Sequence, residues 1–289
     1  MNHAKRINLS LYQPAISAMN IHNAFLEVIE TLRWGFTDLG YDCSVSVNEV
    51  DRRCQNIAFG WVSAFNAGNM HIYPPGTILY NFEQWSNRNL ADDPVIREIA
   101  RNFQIWDYSP GNIRRWQALE SARAPYYAPV SFAPSLVRIA PAPEDIDILF
   151  VGTINANRAT KLEACQDNIG MHRNSLVAMS GIWGAQRDAF IARAKLLLNL
   201  SYPNTEGTIF EVVRVSYYLA NRKAVVCEHH SALEIEPDLA QQLHFAPADQ
   251  LAAVCDSLVH DTPRRLAYAQ AAHECFAQRD VRDVIRGYF

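Results

Sequence analysis

The sequence has no apolar run near the ~18 residues that would span a bilayer; its most apolar windows, AKLLLNL and KAVVC, are far shorter. It has no CxxC pair, and its six cysteines, Cys43, Cys54, Cys165, Cys227, Cys255 and Cys275, are widely spaced, which suits buried thiols in a reducing cytoplasm. HExxH, GxSxG and P-loop patterns are missing, so the common zinc-protease, serine-hydrolase and NTPase readings are poor. A Gly-rich dinucleotide fingerprint is missing too, which weakens an oxidoreductase assignment. Neither charge dominates: the formal net charge is −4, without the overall basic field of a dedicated nucleic-acid binder. The start, MNHAKRINLSLYQP, passes straight into an alternating strand with no apolar h-region, so a cytoplasmic location is expected.

What is present is a chain built to bury cores. At 289 residues, with 49% hydrophobic and 19% charged residues, it exceeds the usual ~100–150 residues of one core and predicts two domains with little disorder. Residues 6–12 (RINLSLY) read as a strand, and Phe25, Val28, Ile29, Leu32, Phe36 and Leu39 recur at helical spacing before Gly40. CSVSVNEV, NIAFGWVSAF, GTILYNFEQW and NFQIWDYS read as further short strands, with a helix near 93–102. Five prolines between Ala124 and Pro143 predict a stiff linker over 124–143, giving an N-terminal domain over 1–135 and a C-terminal one over 144–289. IDILFVG then reads as a central parallel strand, followed by helices near 159–168 and 185–195, strands KLLLNL and KAVVCE, and a helix-rich tail. This alternation predicts an α/β class, each half a doubly wound, mostly parallel sheet.

The stretch from Ala194 to Glu228 is the most informative. An apolar strand opens into a polar loop that feeds a helix, the place where backbone N–H groups and the helix dipole hold an anion such as a diphosphate. Thr208 and Glu211 have the spacing of a capping box, and Arg214 follows Glu211 by one turn. Gly152, Thr153, Asn155 and Arg158 occupy the turn after the strongest strand, where a Gly admits a phosphate and an Arg offers a forked donor set. Both loops belong to one sheet edge.

ILFVGTINANR, AKLLLNLSY and TIFEVVRVSYYLANRKAVVCE, with ILYNFEQW and IWDYSPGNI upstream, together resemble bacterial and viral glycosyltransferase-like proteins of the GT-B fold. The resemblance spans most of the chain. It implies two Rossmann-like domains facing across a cleft, the C-terminal one holding a nucleotide-sugar as co-substrate and the N-terminal one an acceptor: a glycan, a protein, a lipid-linked group or a nucleic-acid base. No metal and no other cofactor are implied. A Glu early in the helix, here Glu211, would hold the ribose. The donor set carried over is Gly152, Thr153, Asn155, Arg158, Tyr202, Thr205, Glu206, Gly207, Thr208, Ile209, Phe210, Glu211 and Arg214. The chain departs from the commonest GT-B pattern, a Glu eight residues before a second Glu with a following Gly-Pro. Here Glu206 and Glu211 are five apart, and Asn221 and Ala224 stand near the Gly and Pro positions, which leaves retention or inversion open.

An inverting transferase needs a base near the acceptor hydroxyl. His22, at the start of the first helix, and Glu83 and Asp107, at strand ends, are the candidates; a buried Glu83 would strengthen its case. Tyr80, Phe82, Trp85, Trp106 and Tyr108 around them could stack on a sugar or fill the core. Each polar candidate has a structural alternative: Glu211 as a helix cap, Glu206 in a solvated turn, Arg214 as an ion-pair partner, His22 as an ordinary histidine. Asp145 and Asp147 mimic a metal-binding DxD but precede their strand. Cys227, Glu228, His229 and His230 are consecutive and cannot converge on one ion without a sharp turn. Two other functions compete: a two-lobed binding protein without chemistry, and a nucleotide-sugar epimerase or hydrolase on the same scaffold.

Overall fold

The computed structural model describes residues 5–14, 21–85, 90–120, 123–168, 176–202 and 209–289. These form an α/β protein of two compact units, each built on its own parallel sheet.

The first unit contains β1 (Arg6–Leu11), α1 (Leu26–Asp38), β2 (Asp42–Val47), β3 (Gln55–Phe59), α2 (Trp61–Asn66), β4 (Ile78–Asn81), α3 (Pro94–Asn102), β5 (Gln104–Asp107), α4 (Pro110–Gln117) and β6 (Tyr126–Tyr127). Its six strands run in the order β2-β1-β3-β4-β5-β6, every pair parallel. Because β2 and β3 flank β1 on opposite sides, the winding reverses between β1 and β3, and ligands of such sheets bind outside the carboxyl ends at that reversal. The strand expected over NIAFGWVSAF stops at Phe59. Gly60 turns left-handed at φ 68° and starts α2, a conformation that a residue carrying a Cβ would resist. α4 was not foreseen, although Ser109 and Pro110 supply its start: the Ser109 hydroxyl accepts from Asn112 N and proline occupies the first turn.

The second unit contains β7 (Ile146–Val151), α5 (Ala156–Asn168), β8 (Leu176–Met179), α6 (Gly184–Arg193), β9 (Ala194–Asn199), α7 (Val212–Ala220), β10 (Ala224–Glu228), α8 (Pro237–Gln242), β11 (His244–Ala246), α9 (Leu251–His260) and α10 (Thr262–Ala277). Its order is β11-β10-β9-β7-β8, again all parallel, with the reversal between β7 and β9. Leu196, Leu197 and Leu198 of β9 are buried on both faces, as a covered central strand requires. Ile148, Phe150, Leu196, Leu198 and Val226 meet Leu162 of α5 and Leu258 of α9 in one core.

The last helix, α11 (Val281–Tyr288), belongs to the first unit, not to the C-terminal domain in which the sequence placed it. Val281 and Ile285 form its apolar stripe, and both press on Gly35 of α1, where an added Cβ would lie 2.7 Å from Val281 Cγ1. A parallel bridge from Phe132 to Asp280 fixes the approach of this segment. Among the described residues, no helix is long and apolar enough to cross a membrane.

Candidate functional site

Both winding reversals carry sequence-selected residues, and the second unit has the denser set. β7 ends at Val151, and the following turn brings Gly152 against the Arg214 guanidinium: a Cβ there would sit 3.2 Å from Arg214 Cζ, Arg214 Nη2 and Phe150 Cζ. Glycine at 152 is thus a matter of space. Asn155 starts α5, its Oδ1 accepting from Arg158 N at 2.9 Å.

Arg158 is enclosed, only 1% exposed. Its Nη1 donates to Thr153 O (2.9 Å) and its Nη2 to Leu200 O (2.6 Å) and to both oxygens of Glu211 (2.7 and 3.0 Å). Nε adds a longer contact to Ser201 O (3.4 Å). Burial lowers its pKa to about 10 in spite of the opposing attraction of Glu211. The guanidinium lies between the rings of Phe150 (5.5 Å) and Tyr202 (5.0 Å). Where a phosphate ligand was expected, Arg158 ties the β7 turn to the β9 turn, and its burial keeps the guanidinium from solvent.

Glu211 has become the hub of the site. It precedes α7 and makes no side-chain cap; Thr208, its partner in the expected capping box, lies outside the described residues. Its Oε1 also accepts from Tyr202 N (2.7 Å), and its Oε2 pairs with Arg214 Nη2 (2.7 Å). Arg214 Nη1 donates to Asn199 Oδ1 at the end of β9 (3.0 Å). Next to this cluster, Glu228 at the end of β10 pairs with Lys161 (2.5 Å) and accepts from Ser201 N (3.0 Å). Lys161 was not singled out in the sequence, though it lies three residues beyond Arg158 on the same helix, and Glu228 was weighed only within a metal-ligand run. Two amides of the β9 loop, those of Ser201 and Tyr202, are therefore held by the protein's own carboxylates. Tyr202 exposes 38% of its surface, whereas Ile209 and Phe210 are buried, Phe210 N donating to Glu234 O (3.0 Å). Thr205, Glu206, Gly207 and Thr208 lie outside the described residues.

In the first unit, His22 lies at the β1/β3 reversal. Its Nε2 is 3.0 Å from Ser63 Oγ, its Cδ2 would be 3.1 Å from a Cβ on Gly60, and its Nδ1 is buried without a hydrogen-bond partner. Burial lowers its pKa, which favours the neutral ring, the form a base requires. Ser63 was not foreseen; its place three residues after Gly60 on α2 was the available signal.

The other two catalytic candidates separate from it. Glu83 is exposed, not buried. Asp107 is fully buried and accepts from Ser109 N (2.9 Å), Asn81 Nδ2 (2.7 Å), Asn112 Nδ2 (3.2 Å) and Trp116 Nε1 (2.9 Å). It anchors β4, β5 and α4 to one another. Burial still pushes its pKa up to about 7 against those four donors. Tyr80, Trp85, Trp106 and Tyr108 are buried in packed rings, with Tyr80 and Phe82 at 4.3 Å and Trp85 and Trp116 at 5.9 Å, so they build the core. The DxD mimic lies at the amino edge of β7, as expected, with Asp145 on Arg193 (2.6 Å) and Asp147 on Lys195 (2.6 Å).

No protein-family model matches the chain. In sequence it is similar to two mimivirus proteins of uncharacterised function from Acanthamoeba polyphaga mimivirus. L137 is 28% identical over 153 residues, which cover 50% of this chain and 20% of that protein. L140 is 25% identical over 181 residues, which cover 60% of this chain and 56% of that protein. The chain thus spans only part of the curated relatives it matches. In structure it is similar to HepE of Anabaena in complex with UDP-glucose (TM-score 0.59, 13% identity, 97% of each chain covered). It is also similar to AviGT4, a glycosyltransferase of avilamycin A biosynthesis (TM-score 0.58, 13% identity, 98% of this chain and 96% of that one). A third likeness is WaaG, a glycosyltransferase of lipopolysaccharide biosynthesis (TM-score 0.56, 12% identity, 97% of this chain and 98% of that one).

Proposed function

The chain has a GT-B glycosyltransferase-like fold, and we propose that it transfers a sugar from a nucleotide-sugar, held at the carboxyl edge of the second unit, to an acceptor handled by the first. One observation carries this reading. At the β7/β9 reversal, a glycine turn, a partly exposed arginine and a carboxylate are gathered around Gly152, Arg214 and Glu211, a set suited to a diphosphate beside a ribose. Tyr202 offers an exposed ring at the same edge. Solved neighbours bound to UDP-glucose support a donor of this class.

His22 is the residue assigned to deprotonate the acceptor hydroxyl, because it is neutral and has a ring nitrogen without a partner. Glu83 and Asp107 rank behind it, the first as an exposed carboxylate and the second as an enclosed one. No metal has a role in this scheme: the donor's charge would be met by Arg214 and by main-chain donors that follow Gly152, whose own N–H is spent on Met179 O.

A panel of nucleotide-sugars and nucleoside diphosphates, screened by thermal shift, tests the reading. A ligand at 100 times its dissociation constant stabilises by ~2.7 kcal/mol, and one donor should raise the melting point accordingly. The same donor should release free nucleoside diphosphate, at a rate unchanged by EDTA. If every compound leaves the melting point in place, the proposal falls.

Gly152→Ala gives a second test at the same turn. The added methyl must displace the Arg214 fork or the Phe150 ring by a few tenths of an ångström. We expect donor affinity to drop about tenfold while the melting point moves little, read by titration calorimetry alongside thermal unfolding. A fall in melting point with unchanged donor affinity would remove Gly152 from the site.

A further inference from the structure

Glu211 has no acceptor position left for a ribose. A carboxylate offers about four lone-pair positions, and here Arg158 Nη2 and Tyr202 N fill Oε1 while Arg158 Nη2 and Arg214 Nη2 fill Oε2. A sugar hydroxyl can reach this carboxylate only by displacing one of them.

The three partners differ in how easily they leave. Tyr202 N is main chain. Arg158 is buried and tied to the carbonyls of Thr153, Leu200 and Ser201, so moving it would orphan three acceptors and one charge. Arg214 exposes 23% of its side chain and, among the described residues, engages two of its groups, Nη1 on the neutral Asn199 and Nη2 on Glu211. With five N–H donors on a guanidinium, it keeps spare ones, and it already lies against Gly152.

Resting on the donor reading above, we propose that Arg214 is an exchangeable latch that makes the site select phosphorylated nucleosides. In the empty site it closes Oε2 of Glu211. When a diphosphate settles on the Gly152 turn, the guanidinium transfers to the phosphate oxygens, and Oε2 is freed for a ribose hydroxyl. Phosphate and ribose are then coupled through one side chain, and a nucleoside without phosphate has to compete with an ion pair for its carboxylate.

The test compares four matched pairs, UDP with uridine, GDP with guanosine, ADP with adenosine and CDP with cytidine, by titration calorimetry on the full chain. In Arg214→Met, the diphosphate that binds wild type should weaken at least tenfold, while its nucleoside binds as well as before or better. Arg214→Lys, which keeps the charge and loses the fork, should fall between wild type and Arg214→Met on both. Ligand-free melting of both variants reports folding. Equal weakening of diphosphate and nucleoside would mean a purely structural arginine and overturn the latch; so would a weaker nucleoside with an unchanged diphosphate. A wild type that binds none of the eight compounds would instead sink the donor reading and the latch with it.

Discussion

Glu211→Ala should cost the second unit ~3–5 kcal/mol, because it strands the Arg158 charge in a place where only 1% of its surface meets water. The Arg158 guanidinium would retain its carbonyl partners but lose the carboxylate that faces it at 2.7 Å. The pair Arg158→Met with Glu211→Leu removes both charges together, and apolar replacement of a buried pair is often neutral or better. We therefore expect the double variant to be more stable than Glu211→Ala alone, measured by urea unfolding. Donor-dependent release of nucleoside diphosphate should be absent in both. A single variant as stable as wild type would show that the carboxylate is dispensable to the fold, and a double variant no better than the single would remove the buried charge as the cause.

The second large effect concerns pH. Asp107 carries a pKa raised from 3.8 to about 7. Between those values the folded chain binds a proton that the unfolded chain has released, so stability falls as pH rises. The contribution is fully present below pH ~4 and lost through pH ~7; at ~1.4 kcal/mol per pH unit it amounts to ~4 kcal/mol. Asp107→Asn cannot titrate, so this slope should vanish from the variant. Urea unfolding at pH 5 and pH 8 then gives a wild type that weakens on going to pH 8 relative to Asp107→Asn. If the two run parallel across that interval, the four donors keep the carboxylate ionised throughout. Asp107→Ala should be worse than Asp107→Asn at every pH, since it leaves donors of Asn81, Asn112 and Trp116 buried without an acceptor.

The parts of this molecule that could be read in advance are those whose cause is local. β7 and β9 are near-continuous apolar runs because helices cover both faces of a parallel sheet, and that condition leaves its mark on the residues themselves. β6, β8 and β11 are short strands of two to four residues, too brief to carry a period. The order of the pieces pointed to the right fold. The wiring of the edge was not legible. Arg158 and Glu211 are 53 positions apart, and nothing near either residue says that the arginine is spent on main-chain carbonyls. Asp107 misled for the same reason: its donors Asn81 and Asn112 come from other elements, so a strand-end carboxylate that looked reactive proved to be a clamp. The neighbours of His22 were equally hidden, since Gly60 and Ser63 lie about forty positions away in the chain and meet it only in space.

The first unit is not contiguous in the chain, since residues 279–289 complete it after the whole of the second has intervened. That separation sets a timetable on the ribosome. Phe36, Tyr41 and Trp106 precede the second unit, yet the ring of Phe289 that packs on all three is made only after it. The notch at Gly35 likewise stays unfilled until Val281 and Ile285 are translated. The second unit can settle while the first is still bare on one side, so the newly made chain passes through an interval in which the earlier-made of the two units is the less finished.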